Sequence, residues 1–390
     1  MVAGGGPAGM MAGLLLARAG IDTLVLEKHA DFLRDFRGDT LHPSTLEVMA
    51  ELGLLERLLE LPHDRVAEIV AQFGDAPLKI ADFSRLPTRC GFIAMMPQWD
   101  FLNFLAREAA RYPTFHLEMD AEVGGLLERD GRIAGVRVDG KDIEADLVIG
   151  ADGRHSTVRT LAGLEVENLG APIDVLWFRL SRKTTDPQTS MGRFDAGAAL
   201  VLINRRDYWQ CGYVIPKGTA DEVRRAGLPA FRALLGRLLP WMADRSGELD
   251  DWGKVKLLTV QIDRLKRWWR PGLLCIGDAA HAMSPVGGVG INLAIQDAVA
   301  AGNLLGTRDF SGKTLRGFQQ RREWPVRVTQ RLQILAQDRI ITRVLKMTQA
   351  LEPPLFFRLL TRYPLLRRLP GRLIGIGVRP EHVAALHSRN

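Results

Sequence analysis

The run Gly4-Gly5-Gly6-Pro7-Ala8-Gly9 constrains this chain more than any other feature. It is a G-x-G-x-x-G pattern that Val2-Ala3 lead into. Residues 10–19 after it read as a helix, Gly20 as the helix stop, and Thr23-Leu24-Val25-Leu26 as the next strand. Glu27 closes that strand, 18 residues beyond Gly9. Each residue type has a physical reason. Gly4 permits the tight turn, Gly6 lets backbone approach a pyrophosphate, and Gly9 lets helix and strand pack closely. Pro7 and Ala8 open the helix, whose free N–H groups and positive dipole suit phosphate. Glu27 can accept from both hydroxyls of an adenosine ribose. The pattern therefore predicts a Rossmann-type α/β domain for a dinucleotide. A central strand usually runs to about five residues, and only Met1-Val2-Ala3 precede Gly4. The expectation is a shortened strand or a natural start upstream.

Composition narrows the class. A length of 390 residues exceeds one compact core, so two or three lobes are expected. No stretch of about 20 uncharged apolar residues is present, and no signal-peptide pattern opens the chain. Cys90, Cys211 and Cys275 form no metal-ligand spacing, which suits reduced thiols in a cytoplasm and no metal site. The net charge of +7 is uneven: residues 321–390 hold fourteen Lys/Arg against four Asp/Glu, leaving the rest near −3. These arginines alternate with Leu, Ile and Phe, so the region reads as a solvated helix face or as peripheral membrane contact. No nucleic-acid motif accompanies the charge.

Two further strand-to-turn signals follow. Asp146-Leu147-Val148-Ile149-Gly150 runs into Ala151-Asp152-Gly153-Arg154-His155 and a helix holding Arg159. Gly272-Leu273-Leu274-Cys275-Ile276 runs into Gly277-Asp278-Ala279-Ala280-His281, then Pro285-Val286-Gly287-Gly288-Val289-Gly290-Ile291-Asn292 and a helix over 293–305. In this order the three signatures resemble the class A flavoprotein aromatic hydroxylases, FAD-dependent monooxygenases with the para-hydroxybenzoate hydroxylase fold. The likeness covers about 1–305. It implies an FAD-binding domain assembled from 1–65, 95–165 and 258–310, a substrate domain from 66–94 and 166–257, and a C-terminal helical region over 311–390.

The resemblance also implies roles. Asp278 would bond the ribityl chain of FAD, and Asp152 with Gly153 would hold the pyrophosphate region. His155 and Arg159 would assist NAD(P)H, the reductant. Pro285, Gly288, Val289, Gly290, Ile291 and Asn292 would present backbone to the pyrimidine edge of the flavin. A helix N-terminus there also stabilises the anion of reduced flavin. Arg37 matches the arginine that reaches FAD phosphates and nicotinamide, and Gln98 a residue contacting FAD. His281 reads as a packed, hydrogen-bonded histidine rather than a base. With no second dinucleotide motif in the chain, one fold serves both cofactors. By resemblance, NAD(P)H reduces FAD, O2 adds at flavin C4a, and the distal oxygen attacks an electron-rich ring.

Residues 173–180, 198–204 and 208–215 read as antiparallel strands roofing the flavin, joined by 66–80 and covered by helices over 220–241. Period two pairs Trp177 with Arg179, Leu202 with Asn204, and Gln210 with Gly212 as substrate-facing candidates. Benzoate-hydroxylating members carry Ser, Arg and Tyr where this chain has Leu202, Asn204 and Gly212. The fork for a carboxylate is thus missing and volume opens at Gly212. The expected substrate is an aromatic, phenolic or quinone-like compound, largely apolar. No catalytic residue is assigned: His42, His63 and His116 stay open as bases. Residues 316–337 read as a long amphipathic helix with Val326, Leu332 and Ile334 inward. Two rivals remain. One is a reductase or halogenase of the same fold, although Gln210–Pro216 lacks the halogenase tryptophans. The other is a non-enzymatic dinucleotide-fold binding protein.

Overall fold

The computed structural model describes residues 1–33, 39–74, 76–348, 353 and 355–385. Its centre is a six-stranded sheet in the order 269–270, 273–275, 148–150, 2–3, 23–26, 115–118. All pairs are parallel except the edge pair Trp269–Arg270 with Leu273–Cys275. The strand Val2–Ala3 is only two residues long, yet it lies between Val148–Gly150 and Thr23–Leu26. Met1 lengthens the pairing, since its carbonyl accepts from Ile149 N–H at 2.9 Å. The helix Pro7–Arg18 starts with proline at its first turn, where no N–H is needed, and ends before Gly20 at φ +76°. Its small residues let it pack on helix Gly290–Leu305: Gly302 has Leu15 where a Cβ would sit. That second helix begins one turn earlier than the sequence pattern suggested.

Beside this layer stands a seven-stranded sheet ordered 256–258, 173–181, 208–216, 198–204, 191–195, 68–73, 76–82. It is antiparallel except where Met191–Asp195 runs parallel to Glu68–Phe73. The expected strands are in it, as are 68–73 and 76–80 of the Val66–Ile80 stretch; Val66 itself ends the strand Asp64–Val66, which pairs with Ile93–Met95 in a separate small sheet. One face packs on helices Ala220–Ala226 and Leu228–Leu238 through Leu176, Phe178, Leu200, Leu202, Trp209 and Phe231. The other faces the six-stranded layer through Val175, Trp177, Ala199 and Val214.

The helix Gly312–Ala336 continues through a single π turn, Gln337–Ile341, into Thr342–Lys346. Its inner face differs from expectation. Val326 is buried, but Leu332 is 37% exposed, and the buried stripe includes Arg322, Gln330, Gln333 and Gln337. Gln330 Nε2 donates to the carbonyls of Asp263 and Ala282, and Gln333 Nε2 to those of Ser284 and Val286. These amides bond carbonyls of the strand pair at Asp263 and Ala282 and of the loop at Ser284 and Val286, work a leucine cannot do. Two turns before Gln330, Arg322 Nε donates to Asp297 at 2.8 Å and its Nη1 reaches Glu381 at 3.4 Å, where Arg321 binds in a fork. Asp297 also accepts from Gly277 N–H and pairs with His281. Burial alone would raise the Asp297 carboxyl, but His281 and Arg322 hold it below its ordinary value. The segment at Glu381 thereby fastens the turn at Gly277.

Candidate active site

Three glycine-bearing turns meet at the C-terminal ends of the parallel strands, where the strand order reverses. Gly4 to Ala8, Ala151 to Gly153, and Asp278 with Pro285, Gly288, Gly290 and Ile291 line one cavity of about 1160 Å³. That is at or above the upper end of pockets for small ligands, roughly 300–1,000 Å³. Gly4 has φ +107°, and a Cβ on it would lie 2.5 Å from the Ala151 carbonyl oxygen. Gly9 borders the cradle from behind: its Cβ would fall 1.8 Å from the Gly4 carbonyl. Around Gly6, by contrast, nothing lies within 4 Å of such an atom.

The polar groups of the cradle suit a dinucleotide. Helices Pro7–Arg18 and Gly290–Leu305 both start without a side-chain cap, so their first-turn amides keep donors for a ligand. Glu27, nearly buried on the cavity wall, accepts from Gly5 N–H at 2.8 Å and His29 N–H at 3.1 Å. Asp152 caps Val158 N–H with Oδ2 and leaves a buried Oδ1 without a partner. A buried acceptor in that state calls for a donor from a ligand. These features fit FAD.

Other expected residues fall differently. Gln98, Gly153, His155 and Asp278 line the cavity. Arg159 does not: it is 7% exposed and turned inward to the carbonyls of Arg154 and Ala279 and to Asp263. Asn292 acts as a pin. It accepts from His42 N–H and the Thr45 hydroxyl and donates to the carbonyls of Thr40 and Gly288. Val289 precedes the helix, its carbonyl accepting from Leu293 N–H at 3.0 Å. Arg37 lies outside the described residues.

On the sheet, the register settles which side chains face the cavity. Trp177, Gly212 and Val201 stand in one row, and Arg179, Gln210 and Ile203 in the next. Leu202 and Phe178 both pair with Cys211, one from each side, so the Leu202 side chain is buried in the helix-covered core. Leu202 still borders the cavity, but the side chains that this strand turns towards it are Val201 and Ile203, one residue out of phase with the expected pair Leu202 and Asn204. Asn204 instead organises the turn, donating to the Gln188 carbonyl and accepting from Arg206 N–H. The volume expected at Gly212 is filled by the Trp177 ring, 3.1 Å from where a Cβ would lie. Trp177 Nε1 is buried with no partner. Arg179 is exposed at the rim and stacks on Tyr208 at 4.9 Å.

Sequence reasoning missed two parts and left a third, His42, open among three histidines. Arg205, on the cavity roof, forms an ion pair with Asp39 and donates to Gln210 at 3.1 Å. Burial pushes the Asp39 carboxyl above its ordinary value even against the pull of Arg205. His42 is fully buried on the wall; its Nδ1 donates to the Ile374 carbonyl at 2.8 Å, leaving Nε2 unpartnered. Burial lowers its pKa to about 4, so it is neutral. Of the other two candidate histidines, His116 is mostly exposed and His63 bonds the Leu61 carbonyl. Finally, Ile340, Ile341, Phe356, Phe357 and Ile374 close one side. The Leu355-Phe356-Phe357 run was the only sequence signal for this wall.

Comparison with known proteins agrees with the geometry. The family described as FAD binding domain matches residues 1–308. A 6-methylpretetramide 4-monooxygenase of Streptomyces rimosus is 33% identical over 95% of this chain and 91% of its own length. A rifampicin monooxygenase of Streptomyces venezuelae is 31% identical over 77% of this chain, which spans only 62% of that relative. Among solved structures, p-nitrophenol 4-monooxygenase from Pseudomonas putida superposes with TM-score 0.79 at 20% identity, covering 97% of this chain and 98% of that one.

Proposed function

The chain belongs to the FAD binding domain family, that of the class A flavoprotein aromatic hydroxylases, and from that premise we propose that it hydroxylates a large, uncharged polycyclic phenol. It is an FAD-dependent oxidoreductase of monooxygenase type. The observation that carries the substrate reading is the roof. The side chains it turns to the cavity are mostly apolar, among them Val175, Trp177, Val201, Ile203 and Val214, while Gln210 accepts from Arg205, Glu68 is paired with Lys79 and Arg205 with Asp39. A carboxylate entering there would have to displace that pair, whereas an apolar ring system gains burial. The relative from Streptomyces rimosus is named for 6-methylpretetramide, and a substrate of that kind is compatible with the same reading.

Glu27 would hold the adenosine ribose, the N–H groups of Gly6 and Ala8 the pyrophosphate beside the Pro7 ring, Asp278 the ribityl chain, and the backbone from Gly288 to Asn292 the pyrimidine edge. His155 and Gly153, at the cavity wall, are the contacts we assign to NAD(P)H in place of the inward Arg159. When bound, FAD would carry two electrons from NAD(P)H to O2 and so supply oxygen in an activated form. The protein excludes water with the apolar sheet face and fixes the ring near the flavin. His42 Nε2 can hold a hydroxyl proton, but a group with a pKa of about 4 does not remove one from a phenol at neutral pH. The division into cofactor segments 1–65, 95–165 and 258–310, substrate segments 66–94 and 166–257, and C-terminal helices from 311 belongs to the same proposal. It is supported by the separate cores of the two large sheets.

The test is a substrate panel under NAD(P)H and air, with oxygen incorporation read by mass spectrometry. Polycyclic phenols should couple reductant use to product, and simple benzoates should not. Coupled turnover of a benzoate that weakens with added salt would sink the reading.

A further inference from the structure

The C-terminal helices Leu355–Arg362 and Arg368–Gly375 are fixed to the protein by one face only. Phe357 packs on Phe73 at 5.2 Å between ring centroids, and Leu360 is buried beside it. Gly371 and Gly375 sit so close to the strand Ala76–Asp82 and to Phe83 that a Cβ at Gly371 would lie 2.3 Å from the Asp82 carbonyl. The outward face is apolar. Phe356, Leu359, Tyr363, Leu365, Leu369 and Leu373 are each more than a third exposed, and Leu369 reaches 67%. A soluble surface rarely gathers so many large apolar side chains on two neighbouring helices. Arginines are mixed among them: residues 353–375 hold five, with no Asp or Glu. Arg362, Arg368 and Arg372 are exposed.

We propose that this face docks on an anionic lipid bilayer, lying in the headgroup layer without crossing it. Among the described residues no helix is long and apolar enough to cross a membrane. Apolar side chains ringed by arginine suit the boundary between acyl chains and anionic headgroups. A second copy of this chain suits it poorly. A two-fold contact would set the same arginine-rich surface against itself with no carboxylate between 353 and 375 to answer it. Continuity with the cavity gives the docking a use. Phe356 is both exposed and part of the cavity wall, and Phe357 and Ile374 lie behind it. A lipid-dissolved compound would meet the cavity wall at the membrane surface.

Sedimentation of the full-length flavoprotein with vesicles tests this without turnover, so it is independent of the substrate reading. Binding is expected to phosphatidylcholine–phosphatidylglycerol vesicles at low salt, and little to phosphatidylcholine alone. Arg362→Gln with Arg372→Gln should weaken it roughly thirtyfold, from about fivefold for each charge. Leu365→Asp with Leu369→Asp should weaken it at least tenfold, about the effect expected for lost apolar insertion. Retained flavin absorbance shows that the variants are folded. Absence of binding to anionic vesicles, or binding indifferent to lipid charge and salt, overturns the proposal. So does a leucine double variant that turns a dimer into a monomer while vesicle binding stays intact.

Discussion

The cofactor cradle and the substrate roof face each other across one cavity, but they are specified in different ways. The cradle is specified by backbone. At Gly4 and Gly9 an added carbon would strike a carbonyl oxygen, and at Gly6 the space stays open. The roof is specified by register. Val201 faces the cavity and its neighbour Leu202 faces the opposite core, although both are apolar and adjacent. A backbone requirement selects one amino acid, glycine, wherever it applies. A facing requirement selects only a class, and its phase is set by strands far away in sequence.

The largest effect that could break this comparison is at Gly9. Gly9→Ala should destabilise by upwards of about 4 kcal/mol, because its Cβ has no room beside rigid backbone. Gly6→Ala should leave the melting temperature of the cofactor-free protein unchanged and weaken FAD retention. Equal melting temperatures for the two variants would show that the turn is not built by steric exclusion. Next comes Leu202→Ala, fully buried among Phe178 and Cys211, expected to cost about 3 kcal/mol in denaturant unfolding with KM unchanged. Val201→Ala should do the reverse, altering KM or uncoupling with little change in stability. If KM follows Leu202 instead, the strand carries the opposite face to the cavity and the roof is out of register by one residue.

A smaller effect concerns His42. Its folded pKa of about 4 lies below the unfolded 6.5, so below pH 6.5 the unfolded chain binds a proton that the folded one refuses. Its contribution is complete above about pH 6.5 and is lost as pH falls towards 4. Between pH 7 and 5 that amounts to about 2 kcal/mol. His42→Asn should flatten this part of the stability profile, and an unchanged slope would place the titration elsewhere. The smallest effect belongs to Asn204→Ala. Loss of its turn hydrogen bonds should cost about 1 kcal/mol. Substrate affinity should not move; a large rise in KM would return Asn204 to the binding surface.

The same contrast explains what was legible beforehand. The three turns, Glu27, the strands that lead into them and the flanking helices are local patterns legible from spacing, whereas the order in which the strands pair is not local. Asp39 and Arg205 are 166 residues apart and meet only because the sheet brings the 204–207 turn over the cradle. Arg159 carries the charge expected of a cofactor contact, but Asp263 and two carbonyls claim it, and neither Asp263 nor Ala279 is near it in sequence. The glutamines at 330 and 333 break the apolar period of their helix because the backbone they pack on, at Asp263 and at the Ser284 loop, has carbonyls to satisfy. No hydrophobic pattern encodes such a demand.

The fastening at Glu381 has a consequence for biosynthesis. Gly4 is translated 377 positions before the carboxylate that anchors Arg321 and Arg322 and, through Asp297, the Gly277 amide. Vectorial synthesis therefore begins the nucleotide cradle early and can lock it only late. A nascent chain must keep its amino-terminal glycine turn competent throughout, and cofactor capture on the ribosome would precede the closure that makes it durable.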